Sequence, residues 1–67
     1  TPADVLADGE LQVFNLIGRG LNTGEIAARL HIAVKTVETY RARTKEKMKL
    51  KNSSELLQVA IAWTHGR

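Results

Sequence analysis

Residues 22–48 read NTGEIAARLHIAVKTVETYRARTKEKM, and that stretch decides the fold. Two apolar series at helical spacing flank a join that is too short for anything but a tight bend. The first series is Ile26, Ala27 and Leu30; the second is Val37, Tyr40, Thr44 and Met48. Asn22 and Glu25 have the spacing of a capping box, in which each side chain accepts a hydrogen bond from the other residue's backbone amide. The sequence therefore predicts a short helix after Asn22, a bend at Leu30-His31-Ile32-Ala33, and a longer helix over most of residues 34–48.

A helix-turn-helix sets three local requirements. It needs a small residue where its helices cross, a residue that tolerates positive φ in the turn, and apolar residues that pin both helices to the domain. Ala27 is the small residue, His31 stands in the turn, and Val37 is the pin, with Ile26, Leu30 and Ile32 completing the inner face. Glycine is the easier choice for the turn, but histidine is among the residues enriched at positive φ. An ordinary helical hairpin would share this apolar pattern, and the placement of charge separates the two. Residues 34–51 hold Lys35, Arg41, Arg43, Lys45, Lys47, Lys49 and Lys51 against Glu38 and Glu46, although the formal net charge of the chain is only +3.

On a helical wheel Val37, Thr44 and Met48 fall within about 40° of one another, with Tyr40 and the stem of Arg41 beside them. Lys35, Glu38, Thr39, Ala42 and Glu46 lie opposite. One face packs, and the other is presented to solvent among cations, an arrangement suited to a groove of DNA. The plainer alternative is a solvated lysine-rich face.

Working outward, Leu6 is the first core residue. Leu11, Val13, Phe14, Leu16 and Ile17 recur at offsets of three and four, predicting a helix over Glu10–Arg19 that is buried along one broad face. Asp8 is placed to cap its first turn, Gly9 lowers its propensity, and Gly20 is placed to end it in the left-handed region. Residues 1–5, with a proline and no periodicity, read as the end of an interdomain linker, and residues 6–65 as the domain. Beyond Met48, Leu50 plugs the connection, and Asn52 with Glu55 offers a second capping box for a helix from about Ser53 to Trp63. Leu56, Val59, Ala60 and Trp63 form one stripe on it. Leu57 and Ile61 form another, either further core or a contact for a second subunit. Thr64 to Arg67 are expected to fray. The fold class expected is all-α, a compact four-helix domain containing a helix-turn-helix.

Composition narrows the function. A chain of 67 residues makes one domain, and so short a chain buries only about 60% of its unfolded surface. It has no cysteine and no His/Cys cluster, so packed helices must supply its stability, and neither metal nor cofactor is expected. No apolar run approaches the roughly 18–20 residues that cross a membrane, and no signal peptide is visible, so the expected location is the cytoplasm. Asn52-Ser53-Ser54 matches a glycosylation acceptor, but its better use is the helix cap. There is no nucleophile paired with a base, and His31 and His65 stand apart, so an enzyme is not expected. A pI near 9.7 favours a polyanionic partner.

The sequence also resembles a known family. Leu6 with Glu10 and Val13-Phe14, Leu16-Ile17-Gly18-Arg19-Gly20-Leu21, Glu25-Ile26-Ala27 and Leu30 carry the likeness, followed by Lys35-Thr36-Val37, Lys47-Met48 and Glu55-Leu56. These are similar to the LuxR/FixJ/NarL-type, GerE-like DNA-binding domain at the C-terminus of bacterial response regulators and quorum-sensing receptors. The resemblance implies a four-helix domain whose third helix reads the major groove and whose fourth forms the dimer. It also implies a preceding regulatory domain, either a phosphorylated receiver or a small-molecule sensor. The chain departs from the family's pattern at Ala7 and Ala33, where serine or threonine usually caps a helix, and at Glu38, where a basic residue is frequent.

By the wheel and the resemblance together, Glu38, Thr39 and Ala42 form the groove-floor positions. Glu38 is able to accept from a cytosine amino group, and Thr39 or Ala42 to lie against a thymine methyl. Glu38 has an alternative reading as a partner of Lys35. Lys35, Thr36, Arg41, Arg43 and Lys45 suit phosphates beside the groove, and Asn22 and Thr23 offer amides to another. Tyr40 is expected to pack inward with its hydroxyl near the DNA backbone. The expected partners are double-stranded DNA with pseudo-palindromic or repeated half-sites, and a second copy of the chain through Leu57 and Ile61, edged by Ser54 and Gln58. RNA polymerase is a further candidate; a membrane is not. Two other classes compete: a helical protein-binding module that uses the Leu57 and Ile61 stripe, and a domain like region 4 of sigma factors. The match through the first and fourth helices argues against the latter.

Overall fold

In the computed structural model, which describes residues 1–66, the chain forms five helices and, among the described residues, no strand. They are α1 (Pro2–Val5), α2 (Asp8–Gly18), α3 (Thr23–Leu30), α4 (Val34–Lys47) and α5 (Ser53–His65). The expected four-helix core is α2 to α5. Ahead of it, residues 2–5 make one turn that sequence periodicity could not show, because a single turn is shorter than the period it would reveal. Proline at its first position suits it.

α2 lies at the centre, packed against α5, α4 and α3, and α3 packs on α4. Phe14, Ile26, Leu56, Val13, Val37 and Thr44 are fully buried, so α2 to α5 all enter the core. Thr44 is admitted because its hydroxyl donates to the Tyr40 carbonyl at 2.8 Å, leaving no buried donor unpaired. α2 and α5 approach closely at Gly18, where a β-carbon would stand 2.4 Å from the Ala60 carbonyl oxygen.

The α3 cap forms as its sequence predicts: Asn22 Oδ1 accepts from Glu25 N–H, and Glu25 Oε1 from Asn22 N–H, each at 2.8 Å. His31 takes the left-handed conformation, φ 57° and ψ 44°, and the amide of Ile32 closes the turn on the Ala27 carbonyl at 3.0 Å. Ala33 precedes α4 with no side-chain cap. A second left-handed residue, Lys49 at φ 59°, ends α4, with Leu50 N–H bonded to the Lys45 carbonyl. The sequence reading did not anticipate it, since lysine carries no turn signal.

Three local expectations change. Asp8 does not cap α2; it is the first helical residue, and Ala7 holds the cap position in extended conformation. Leu6, the residue before it, is buried in the core. With no acceptor on Ala7, only the returning half of a capping box remains, the Glu10 carboxylate accepting from Ala7 N–H at 3.0 Å. At α5, Asn52 Oδ1 accepts from Glu55 N–H as expected, but Glu55 turns back to the amide of Lys51 rather than to that of Asn52. Finally, Thr64 and His65 do not fray. The Thr64 hydroxyl donates to the Ala60 carbonyl, and the His65 ring N–H to the Gly18 carbonyl at 3.0 Å, so the end of α2 holds the end of α5. Arg67 lies outside the described residues.

Candidate nucleic-acid interface

α4 has two unlike faces because its apolar residues recur at offsets of seven and four while its charges fall between them. Val37 and Thr44 are buried, and Tyr40, Arg41 and Met48 are half-buried beside them. Lys35, Glu38, Thr39, Ala42 and Glu46 are all exposed on the opposite side. The Thr39 hydroxyl donates to the Lys35 carbonyl at 3.1 Å, so its methyl group and oxygen lone pairs are what remain for another molecule. Arg43 is exposed, and Thr36 and Lys45 are half-buried. The surface is thus a narrow strip, acidic or neutral at Glu38, Thr39 and Ala42, with cations along its margins.

The ring of Tyr40 turns inward, as expected, and rests on Gly9, where a β-carbon would lie 3.0 Å from two ring carbons. Arg41 leans the other way. It lines an open groove of about 570 Å³ together with Asn22 and Thr23 at the start of α3, and Ser54, Leu57 and Ile61 on α5. Two sets of residues that the sequence reading kept apart, for phosphate and for a second subunit, therefore share one groove. On α5 the second apolar stripe is surface, not core: Leu57 and Ile61 are each 43% exposed, and Ser54 and Gln58 are exposed beside them.

The sequence reading gave Glu10 no role beyond its place in the family likeness. Glu10 is only 2% exposed, and its Oε1 accepts from Lys47 Nζ at 2.6 Å as well as from Ala7 N–H. The hydrogen bond from Lys47 holds the Glu10 carboxyl below the usual glutamate range; burial opposes this, and the Ala7 amide and the charges of Lys47 and Arg43 add to it. A signal was present. Glu10 sits three, four and seven positions before Val13, Phe14 and Ile17, inside the buried stripe, where a carboxylate requires a partner. Lys47 is consequently not one of the free cations of α4.

Among the described residues no group of three or more His, Cys, Asp or Glu is placed to hold a metal ion. No helix among them is long and apolar enough to cross a membrane.

Two helices that pack on the core through Ile26, Ala27 and Val37, joined by a tight turn and presenting the outer face of the second among cations, define the helix-turn-helix class of DNA-binding domain. Within that class, the profile of the bacterial regulatory proteins of the luxR family matches residues 4–60, and the chain belongs to this family. It is a DNA-binding domain of the kind that bacterial regulatory proteins carry, and its family is one of regulators rather than of enzymes. Similar proteins include the oxygen regulatory protein NreC of Staphylococcus carnosus (strain TM300), 37% identical over 60 residues that cover 90% of this chain and 28% of that protein. Proteins of the same name from Staphylococcus aureus strains JH9 and JH1 match with the same identity and coverage. The chain thus spans 28% of the length of these curated relatives. No solved structure matches it significantly.

Proposed function

We propose that the domain binds double-stranded DNA sequence-specifically by laying α4 in the major groove. The observation that carries this reading is the exposed, non-basic strip of Glu38, Thr39 and Ala42 on a helix whose other face is buried and whose margins are cationic. Glu38, Thr39 and Ala42 meet base edges, while Lys35, Thr36, Arg41, Arg43 and Lys45 meet phosphates. Asn22 and Thr23 offer the first amides of α3 to a further phosphate, and the Tyr40 hydroxyl lies near the DNA backbone. Residues 6–65 act as the domain and residues 1–5 as the end of a linker. Two copies pair on DNA through Leu57 and Ile61, with Ser54 and Gln58 at the edge, and read half-sites related by a two-fold axis. The isolated domain is a monomer, because the exposed stripe is small.

The relatives are much longer than this chain, which supports a regulatory domain elsewhere in the protein; on this reading the chain is the output domain of a cytoplasmic two-component response regulator. RNA polymerase is a candidate partner, and the domain has no catalytic role. The exposure of Leu57 and Ile61 favours one competing reading, a protein-binding module. Salt separates the two: binding through the basic helix collapses between about 50 and 200 mM salt, whereas an apolar interface does not.

Titration of the chain with duplexes at several salt concentrations tests the assignment. Lys45→Ala is expected to weaken all duplexes alike and to lower the salt slope by about one unit. Selection from a random pool with Glu38→Ala is expected to return an altered consensus. An unchanged consensus rules out direct readout by Glu38, and a changed preference with Lys45→Ala rules out its phosphate role.

A further inference from the structure

The first turn of α2 touches α4 at two heights. Gly9 lies beneath the Tyr40 ring, and Glu10 accepts from the ammonium of Lys47 at 2.6 Å. Tyr40 and Lys47 are seven residues apart, so they stand about two turns apart on nearly the same flank of α4. Val37 and Thr44 seat α4 on the core, and the two contacts on one flank, together with that seat, set both its roll and its tilt.

Roll is the coordinate on which readout depends. Side-chain tips lie about 5–6 Å from a helix axis, so a rotation of about 20° carries them through roughly 2 Å. A hydrogen bond to a base edge is lost over a smaller displacement. The reading strip spans about 100° of the wheel, from Glu38 through Ala42 to Thr39, so a roll of about 20° shifts all three together. The two ends of α4 are also held unequally. The start has no side-chain cap at Ala33, and the last turn carries the ion pair to a buried carboxylate.

We propose that Glu10 and Lys47 are a positioning pair for sequence readout, with Gly9 as its second seat, and that Lys47 makes no phosphate contact. Glu10 serves two elements with one oxygen. By accepting from Ala7 N–H, Oε1 supplies the start of α2 with the returning half of its capping box, and the same atom anchors Lys47. The start of α2 and the last turn of α4 are therefore set together, and the roll of the recognition helix is referred to the most central helix of the domain. This rests on α4 being the recognition helix.

The test compares affinity for two duplexes across a salt series, one selected from a random pool by the native chain and one a scramble of the same composition. The variants are Lys47→Met, Lys47→Arg and Gly9→Ala, with Lys45→Ala as the phosphate-contact control. Lys47→Met is expected to lower the ratio of scrambled to selected dissociation constants about tenfold, the discrimination carried by one good base-edge contact, with an unchanged salt slope. Lys47→Arg keeps the ion pair and is expected to keep the ratio. Gly9→Ala presses on the Tyr40 ring without removing a charge and is expected to lower the ratio too, so the proposal remains open to refutation if Lys47→Met does not fold. A salt slope that falls by about one unit in Lys47→Met overturns the proposal. So does parallel weakening on both duplexes, the signature of a smaller folded fraction. A native chain that discriminates, with Lys47→Met and Gly9→Ala that discriminate equally well, overturns the positioning role alone. A native chain that binds both duplexes equally overturns the reading of α4, and the positioning role with it.

Discussion

Replacing Gly18 by alanine is expected to force α2 and α5 apart. The new methyl group would stand 2.4 Å from the Ala60 carbonyl oxygen, 2.4 Å from Thr64 Oγ1 and 2.8 Å from Thr64 Cγ2, where ordinary contact begins at 3.4 Å. Thr64 can turn away, at the loss of its bond to the Ala60 carbonyl. The carbonyl itself is backbone, so α5 must move by about 1 Å, the shortfall from ordinary contact. Helix propensity acts the other way and favours alanine by about 1 kcal/mol. Overpacking a close contact costs about 1–3 kcal/mol, and contact with an immobile backbone atom belongs at the upper end. The net expectation is a loss of about 2 kcal/mol, or a fall in Tm of roughly 8–16 °C for a domain of this size. Thermal and urea unfolding followed by circular dichroism measure it directly. A Gly18→Ala chain that unfolds at or above the native midpoint would refute the reasoning. Adding Thr64→Ala is expected to restore only part of the loss, since the Ala60 contact remains; full restoration would show that the backbone approach is not what requires glycine. Because α5 carries Leu57 and Ile61, a shift there also reaches the surface proposed for pairing on DNA.

The exposed stripe itself allows a cleaner perturbation. Leu57→Glu is expected to leave the stability of the monomer within about 0.5 kcal/mol, as for other surface substitutions, and to abolish cooperative binding to paired half-sites; undiminished cooperativity in a titration of a two-site duplex would count against a dimer contact. The acid limb of the stability curve reports on Glu10. Its carboxyl titrates below its ordinary value of 4.5 in the folded chain, so the stabilisation it gives is complete above that value and is lost as the pH falls through the lowered one. Glu10→Gln is expected to flatten urea-unfolding free energies over that acidic range, and an unaltered slope would show that the pair does not contribute. His31→Gly removes left-handed strain of about 1–2 kcal/mol at the cost of glycine's extra unfolded-state entropy, for a net gain of about 0.5–1 kcal/mol. A lower unfolding midpoint would mean that the His31 side chain contributes something the backbone geometry does not show.

Sequence alone determined the elements whose signals are local. The Asn22 and Glu25 box, the left-handed His31, the opposed faces of α4 and the cap at Asn52 all rest on residues within a few positions of one another, so spacing and side-chain chemistry suffice to write them down. The family likeness rests on the same local patterns. Tertiary structure decided what depends on where helices meet. Glu10 and Lys47 are separated by 37 positions, and nothing in either neighbourhood tells which cation the buried carboxylate will find. The anchoring of His65 on Gly18 spans 47 positions, which is why the last turn of α5 looked free to fray. Nothing local to Gly18 tells that the Ala60 carbonyl will come within reach of its missing side chain. The opening stretch shows the division clearly. Its charges and its two faces are written in residues 34–48, but which of its lysines is tied to another helix was settled only by packing, because a salt bridge forms between atoms in space and not between positions in a chain.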